Sequence, residues 1–417
     1  MITKDLHLFD AFGVELEYMI VDRESLSVLP AADRVLEVAG DDTEVEHGEL
    51  CWSNELVMHV LEFKTNGPSR SLGGLAERFQ AGIVEANERL AMLGARLMPT
   101  AMHPWMDPYK ETVLWPHGNR EIYEAFDGIF GCKGHGWSNL QSAHLNLPFH
   151  GDEEFGRLHA AIRLVLPILP ALAASSPMME LQATGQLDNR LEVYRNNCRR
   201  IPSVTGRVIP EAVFTKADYE REILGPMYRD IAPFDPEGIL QYEWLNARGA
   251  IARFERDTIE VRVLDVQECP QADLAILWAA YATIQGLVYM DNDWSSTAHQ
   301  QSLSAAQLER IFLDCVARGE EALISDRDYL KVFAVLDNGR VTAGDLWKYI
   351  AAEIMPGDIE FSSALNVIFE QGPLARRILR ALGPSPTFDR TREMYGSLCD
   401  CLAEGRMFRE NAMPGFV

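Results

Sequence analysis

The chain has 417 residues, of which 47% are hydrophobic, so a sizeable core can be buried and intrinsic disorder is disfavoured. Its length alone predicts two or three domains, or one large enzyme domain with additions. The formal net charge of -24 at pH 7 would repel a polyanion, which argues against nucleic acid as a partner.

The first predicted element is a strand over residues 11–22, where polar and apolar residues alternate. Side chains two residues apart on a strand share a face, so Glu15 and Glu17 point the same way. Two carboxylates about 7 Å apart repel each other. A cation such as Mg²⁺, which prefers oxygen ligands, would remove that cost. The alternative is an ordinary solvated sheet face.

A second strand is predicted over residues 55–65, and a long helix follows over 71–97 with Ser71 as its N-cap. Glu62 lies among apolar residues and would be costly to bury alone, so it needs a metal ion or a cation such as Lys64. Glu55 stands at an odd separation from Glu62. The two carboxylates therefore converge only if Glu55 precedes the strand or if a bulge intervenes.

The third predicted strand covers residues 141–149 and places Ser142, His144 and Asn146 on one face. A histidine between two polar groups can bind a metal ion or a phosphate oxygen, or it can simply be hydrogen-bonded within the sheet. A helix capped by Asp152 is expected next, and Pro167 should bend or end it.

Residues 186–200 are interpreted as a short basic helix or helix–loop in an otherwise acidic protein. The segment is a candidate site for an anionic substrate or for phosphates, and a solvated helix face is the alternative. Its arginines are Arg190, Arg195, Arg199 and Arg200.

The most informative segment ends in a predicted strand over residues 258–266, which places Glu260 and Arg262 side by side on its polar face. Arginine is the preferred planar binder of carboxylate and phosphate. A metal-binding glutamate beside a phosphate-binding arginine suits phosphoryl transfer, although a plain salt bridge is the common alternative. The residues that precede this strand include Asn246, Arg248 and Arg253.

From about residue 271 the chain is predicted to be mostly helical, with turns near residues 291–294, 337–339, 356–357 and 383–386. Strands before helices indicate an α+β fold rather than βαβ repeats. We therefore predict a catalytic sheet region over 1–270 and a helical region over 271–417 packed on the same domain. The sequence contains no phosphate-binding glycine motif, so any nucleotide must be held in another way.

No signal peptide is expected, because the N-terminal residues lack a basic stretch followed by an apolar one. The run around residues 164–174 is about half the length that a bilayer requires, and prolines interrupt it, so no membrane span is predicted. The seven scattered cysteines are expected to be reduced thiols of a cytoplasmic protein.

Four of these motifs, in the same order over residues 10–270, resemble the glutamate–cysteine ligase family, which shares its fold with the glutamine synthetases. The strand with Glu15 and Glu17 resembles that family's first metal-binding strand. Glu55 and Glu62 are similar in spacing to its next acidic pair. The remaining similarities are those of Gln141–His144, Asn246 with Arg248, Arg253, and Glu260 with Arg262.

The resemblance implies a curved, mainly antiparallel sheet that forms a funnel, with helices outside. It implies an ATP-dependent ligase that makes an amide, of the γ-glutamyl type, through an acyl phosphate, from glutamate and cysteine or another amine, as in glutathione biosynthesis. Mg²⁺, or Mn²⁺ in its place, would be held by Glu15, Glu17, Glu55, Glu62, His144 and Glu260.

The resemblance also implies that Arg262 and Arg253 stabilise the transferred phosphoryl group and, with Asn146, bind ATP. Amino-acid substrates would contact Asn246 and Arg248, and the basic segment adds Arg190, Arg195 and Arg199 as candidates for the same role. Many glutamine synthetases have a second histidine where this chain has Asn146. Two alternatives to a ligase are a phosphotransferase such as a guanidino or amino kinase, and a non-catalytic ligand-binding relative. A homo-oligomer is compatible with the sequence.

Overall fold

The computed structural model describes residues 6–37, 43–290, 295–335, 340–353 and 359–409. The predicted turns at 291–294, 337–339 and 356–357 lie outside these ranges, whereas the turn at 383–386 follows a helix that ends at Leu382. In the described ranges the strands are β1 (Gly13–Asp22), β2 (Glu44–His47), β3 (Leu50–Asn54), β4 (Val60–Thr65), β5 (Ala95–Met98), β6 (Ser142–Pro148), β7 (Met178–Met179), β8 (Gln182–Ala183), β9 (Ala250–Arg253), β10 (Thr258–Asp265), β11 (Leu323–Ile324) and β12 (Val341–Thr342).

The main sheet is antiparallel throughout its described pairs and has the order β2–β3–β4–β1–β6–β10–β9. β5 pairs with the second half of β1, at Met19–Asp22. β6 and β10 lie side by side although they are distant in sequence, and a bulge interrupts their pairing between Val261 and Leu264. The predicted α+β class with a mainly antiparallel sheet is confirmed.

Helices surround this sheet and make up most of the chain after β10. They are α1 (Ala32–Leu36), α2 (Leu75–Ala91), α3 (Pro108–Glu111), α4 (Arg120–Phe130), α5 (His135–Ser138), α6 (Gly151–Val165), α7 (Pro170–Ala173), α8 (Asn189–Tyr194), α9 (Lys216–Tyr219), α10 (Gly225–Ile231), α11 (Pro270–Tyr289), α12 (Thr297–Ser302), α13 (Ala305–Arg318), α14 (Arg327–Val332), α15 (Ala343–Glu353), α16 (Ile359–Gln371), α17 (Leu374–Leu382) and α18 (Phe388–Glu404).

One face of the sheet is apolar and packs on helices, among which α11 contacts β6, α2 and α6. Leu16, Leu145 and Val261, from three neighbouring strands, are buried in the same hydrophobic cluster as Leu277 of α11. Burying an apolar side chain of this size contributes roughly 1.5–3 kcal/mol. Because side chains alternate along a strand, the residues between these apolar ones must face the other side of the sheet.

Three predicted boundaries were wrong. The helix predicted over 71–97 begins at Leu75, after Gly74 rather than a Ser71 cap, and ends at Ala91. Gly94 then adopts a φ of +69°, a left-handed conformation suited to glycine, and the next residues form β5 because β1 offers them an unpaired edge. The strand predicted over 55–65 starts only at Val60.

The helix expected after Asp152 is α6, but its N-cap is His150 and not Asp152. The Asp152 carboxylate instead accepts a hydrogen bond from the backbone N–H of Lys216 at 2.8 Å. The α-helix does end before Pro167, at Val165, and Pro167 is the second residue of a 3₁₀ turn over Leu166–Ile168. β2 and β3 were not predicted, and the helix expected within 186–200 is confined to α8.

The predicted division at residue 270 stays a prediction, although one hydrophobic cluster includes residues from both sides of it. All seven cysteines are buried free thiols. Among the described residues, one helix, α11, is long and apolar enough to span a membrane. Because 78% of its apolar window is buried inside the protein, α11 is typical of a core helix.

Candidate active site

The polar face of the sheet carries the acidic residues that the sequence singled out. On β1, Glu15 is paired with Lys64 of β4 and with His144 of β6, while Glu17 is paired with Glu62 of β4. Side chains of directly paired residues share a face and lie close together. Three adjacent strands therefore place these groups in one patch.

His144 links the acidic groups. Its Nδ1 lies 2.7 Å from Glu15 Oε2 and 3.9 Å from Glu260 Oε1, and its Nε2 lies 3.7 Å from Glu17 Oε1. Two sets of potential ligand atoms each lie within 4.8 Å of one another: those of Glu15, His144 and Glu260, and those of Glu17, Glu62 and His144. β10 contributes Glu260 because that residue is paired with Asn146 on β6.

Glu55 reaches the same cavity from the loop before β4. The first of the two conditions for its convergence with Glu62 is therefore met, and no bulge in β4 is needed. Burial, followed by the charges of Glu17, Glu62 and Glu15, raises the pKa of Glu55 well above its usual range.

Glu62 has the lysine partner that the sequence offered as the alternative to a metal ion. Lys64 Nζ lies 3.3 Å from its carboxylate and 2.6 Å from that of Glu44, and the Ser53 hydroxyl also donates to Glu62. Burial and the charge of Glu15 nevertheless raise the pKa of Glu62 to about 7. Lys64 therefore offsets only part of the cost of ionising this carboxylate.

These donors fit a hard divalent cation, because carboxylate oxygens and one imidazole nitrogen converge where like charges oppose ionisation. Burial lowers the pKa of His144, but its hydrogen bond to Glu15 and the charges of Glu17 and Glu15 raise it by more. The same bond lowers the pKa of Glu15 to about 2 despite burial. A metal ion would compete with the His144 proton for these acceptors.

Two arginines border the acidic patch. Arg262 Nε donates to Glu260 Oε1 at 3.0 Å, and its Nη2 donates to the same oxygen. Arg253 Nη1 lies 3.9 Å from Glu260 Oε2, while its Nη2 donates to Glu255 at 2.9 Å. The buried Arg253 Nε has no hydrogen-bond partner among the described residues. Both arginines line the cavity, so their outer N–H groups could meet an anion there.

Arg190 and Asn246 also line the cavity, but both are buried and bonded to the protein. Arg190 Nη1 lies 3.3 Å from Asp265 Oδ1, and Asn246 Nδ2 donates to Tyr219 Oη at 2.8 Å. Asn146 donates to Glu15 at 3.0 Å, at the edge of the acidic patch.

Three predicted substrate-binding arginines are not brought to the cavity wall. Arg195, the C-cap of α8, is exposed and pairs with Glu192 of that helix at 2.9 Å. Arg199 is exposed as well. Arg248 is buried and donates two hydrogen bonds, of 2.6 and 2.8 Å, to the carboxylate of Glu211.

The cavity has a volume of about 380 Å³ and an aromatic side that was not predicted from the sequence. Phe126 packs between Trp137 and Trp244, with ring centroids 5.3 and 5.8 Å away, and Tyr123 lies on the same helix as Phe126. The three-residue spacing of Tyr123 and Phe126 was the available signal, because it puts both rings on one face of a helix.

A model of the glutamate–cysteine ligase family 2 matches residues 11–314. An uncharacterized protein of Archaeoglobus fulgidus is 36% identical over 94% of this chain and 97% of its own length. A protein of Paenarthrobacter aurescens, provisionally named glutamate–cysteine ligase 2-1, is 27% identical over 65% of each chain.

Two solved structures share the fold. A glutamate–cysteine ligase from Francisella tularensis in complex with AMP has a TM-score of 0.59 at 12% identity, over 98% of this chain and 91% of that one. A bifunctional glutathione synthetase from Pasteurella multocida has a TM-score of 0.57 at 14% identity, over 95% of this chain and 53% of that one.

Proposed function

Because the chain belongs to the glutamate–cysteine ligase family 2 and is therefore a carboxylate–amine ligase, we propose that it uses ATP and Mg²⁺ to join glutamate to an amine. The bond formed is an amide of the γ-glutamyl type. The amine is cysteine or another small amine. The AMP complex of the Francisella tularensis ligase, which shares the fold, supports ATP as the energy source.

The observation that carries this proposal is the convergence of acidic groups from neighbouring strands beside two arginines. Proposed metal ligands are Glu15, Glu17, Glu55, Glu62, His144 and Glu260, which all line one cavity. A bound divalent cation would neutralise phosphate charge there. Since the chain has no phosphate-binding glycine loop, metal ions and arginines are its available means of holding a triphosphate.

A carboxylate does not react with amines at neutral pH, so its oxygen must first become a leaving group. In the proposed reaction the substrate carboxylate attacks the γ-phosphorus of ATP, ADP leaves, and the amine then displaces phosphate from the acyl phosphate. Arg262 and Arg253 line the cavity beside Glu260, where they would stabilise charge on the transferred phosphoryl group.

The two sides of the cavity suggest how substrates are divided. The carboxylates and arginines suit the triphosphate and the reacting acid. The aromatic side, with Phe126, Trp137 and Trp244, suits less polar groups and helps to exclude water. Water exclusion matters because water would otherwise hydrolyse the acyl phosphate.

The decisive experiment measures phosphate release from ATP with Mg²⁺, glutamate and a panel of amino acids and amines. We expect release that requires both an acid and an amine. Hydroxylamine in place of the amine should yield a hydroxamate, which reports an acyl phosphate. A stable phosphorylated product would indicate a kinase instead, and the absence of Mg²⁺-dependent ADP formation with every mixture would indicate a non-catalytic relative.

A further inference from the structure

Arg190 is placed to organise the cavity rather than to bind a ligand in it. Although it lines the cavity, it is only 3% exposed. Its Nη1 donates to Asp265 Oδ1 at 3.3 Å, and its Nη2 donates to the backbone carbonyl of Arg262 at 2.6 Å. The guanidinium therefore connects a buried carboxylate on β10 to the backbone from which the Arg262 side chain projects.

The backbone carbonyl of Arg262 lies at the β-bulge of β10, where it needs a hydrogen-bond donor from outside the strand ladder. The pairing of β10 with β6 shifts between Val261 and Leu264, and the backbone N–H of Arg262 donates to Gly249 at 2.9 Å. A bulge leaves backbone groups outside the regular ladder and redirects the side chains that it carries. A buried carbonyl without a partner would be costly, and Arg190 supplies a donor.

Asp265 is itself held at its other oxygen. Its Oδ2 accepts hydrogen bonds from the backbone N–H of Ser175 at 2.9 Å and from the Ser176 hydroxyl at 2.8 Å. The Ser176 oxygen in turn accepts from the backbone N–H of Arg190 at 3.1 Å. These contacts fix the start of α8 and the end of β10 relative to each other.

We infer that Asp265 and Arg190 are positioning residues that aim Arg262 into the active site through its backbone. This inference rests on the proposed function for the role of Arg262, and it replaces the direct substrate contact that the sequence predicted for Arg190. A displacement of about 1 Å at a reacting group can cost roughly 100-fold in rate. A positioning role thus produces a loss in kcat without a matching loss in substrate affinity.

The test compares Arg190→Ala, Arg190→Lys and Asp265→Asn in the ligase reaction. We expect kcat to fall about 30- to 100-fold in Arg190→Ala while KM for the acid and the amine stays within about threefold. Arg190→Lys should recover part of the loss, because an ammonium can reach one of the two acceptors. Asp265→Asn keeps an acceptor oxygen and serves as the milder variant if Arg190→Ala folds poorly.

A double-mutant cycle with Arg262→Lys then separates the two roles. If Arg190 acts through Arg262, adding Arg190→Ala to Arg262→Lys should cost less than about threefold. A rise of tenfold or more in KM for the acid in Arg190→Ala, with kcat nearly unchanged, would mean direct substrate binding and would overturn the inference.

A readout without substrates keeps this test distinct from the proposed function. Hydrogen exchange in the Thr258–Asp265 peptide should speed up in Arg190→Ala and stay at the wild-type rate in Arg207→Ala. Arg207 is a suitable control because it is exposed and paired with Glu309 away from the cavity wall. An inactive wild type with altered exchange in Arg190→Ala would defeat only the proposed function, whereas unaltered exchange would defeat the positioning role.

Discussion

Two glutamate–arginine pairs in this chain have the same chemistry and different surroundings. Arg248 grips Glu211 and also donates to Ser203 and Asn246, so its donors are used within the protein. Arg262 donates to one oxygen of Glu260 at the cavity wall, and the side chain of Arg262 is 24% exposed. Chemical type alone therefore does not distinguish the two pairs; access to the cavity does.

The neighbours of the two glutamates explain the difference. Glu260 lies within 3.9 Å of both His144 and Arg253, so it belongs to a network of charged groups that faces the cavity. Glu211 has one described ion-pair partner, Arg248. Arg262 and Glu260 can exchange contacts with each other for contacts with a ligand. Arg248 and Glu211 instead hold the chain segment around residue 211 next to the start of β9.

The largest expected effect is that of Glu260→Ala. Removing a proposed metal ligand that also orients Arg262 should lower ligase activity by about 1,000-fold or more while leaving the fold intact. Steady-state phosphate release and circular dichroism would measure the two properties. Glu211→Ala is the matched control and should keep activity per folded molecule. Wild-type activity in Glu260→Ala would show that Glu260 of β10 is not a metal ligand.

The next largest effect should distinguish the two glutamate–arginine pairs, when lysine replaces Arg262 in one variant and Arg248 in another. Arg262→Lys should lose about 100-fold in kcat, because a point charge does not replace a planar fork. Arg248→Lys should stay within about threefold in kcat and instead unfold at a lower temperature. Equal kinetic losses in the two variants would contradict the assignment of Arg248 to a purely structural contact.

Glu211→Ala should lower the free energy of unfolding more than Glu260→Ala does. It leaves the guanidinium of Arg248 buried without its carboxylate, at a cost of about 2 kcal/mol after allowance for the partial exposure of Glu211. Urea denaturation followed by tryptophan fluorescence gives this value. A free energy of unfolding equal to that of the wild type would mean that other groups satisfy Arg248.

The acidic patch should respond to pH. Because burial and Glu15 raise the pKa of Glu62 to about 7, a proton should compete with Mg²⁺ below that pH. Affinity should fall by up to about tenfold per pH unit below 7. Calorimetric titration with Mg²⁺ at pH 6, 7 and 8 tests this, and Glu62→Gln should flatten the dependence. An unchanged slope in that variant would assign the proton to another group.

The raised pKa of Glu62 also predicts how the stability of the metal-free protein changes with pH. The folded pKa of Glu62 lies above its ordinary value of 4.5, so its contribution to stability is fully present below pH 4.5. That contribution is lost as the pH rises through 7. In EDTA, the stability advantage of Glu62→Gln over the wild type should therefore grow between pH 5 and pH 8.

The smallest effect is expected from Arg195→Ala. Its exposed pair with Glu192 is worth roughly 0.5 kcal/mol or less, and the side chain does not line the cavity. KM values within about twofold of the wild type are expected. A tenfold rise in KM for either substrate would restore the substrate-binding role that the basic segment first suggested.

Alternation along single strands was sufficient to predict part of the site. Glu15 with Glu17, and Glu260 with Arg262, share a face because the side-chain period of a strand is two residues, and this depends on local geometry alone. The α+β class was likewise visible in the order of the elements. The resemblance to glutamate–cysteine ligases then followed from several such motifs in register.

Only the tertiary structure decided which of these groups meet. The pairing of β1 with both β4 and β6 brings His144 between Glu15 and Glu17, and strand neighbours are set by long-range contacts that no local pattern encodes. The same holds for Arg248, which is removed from the cavity by Glu211, a residue 37 positions earlier in the chain. The sequence by itself determined which residues could do the chemistry, and the sheet order decided which of them face the cavity.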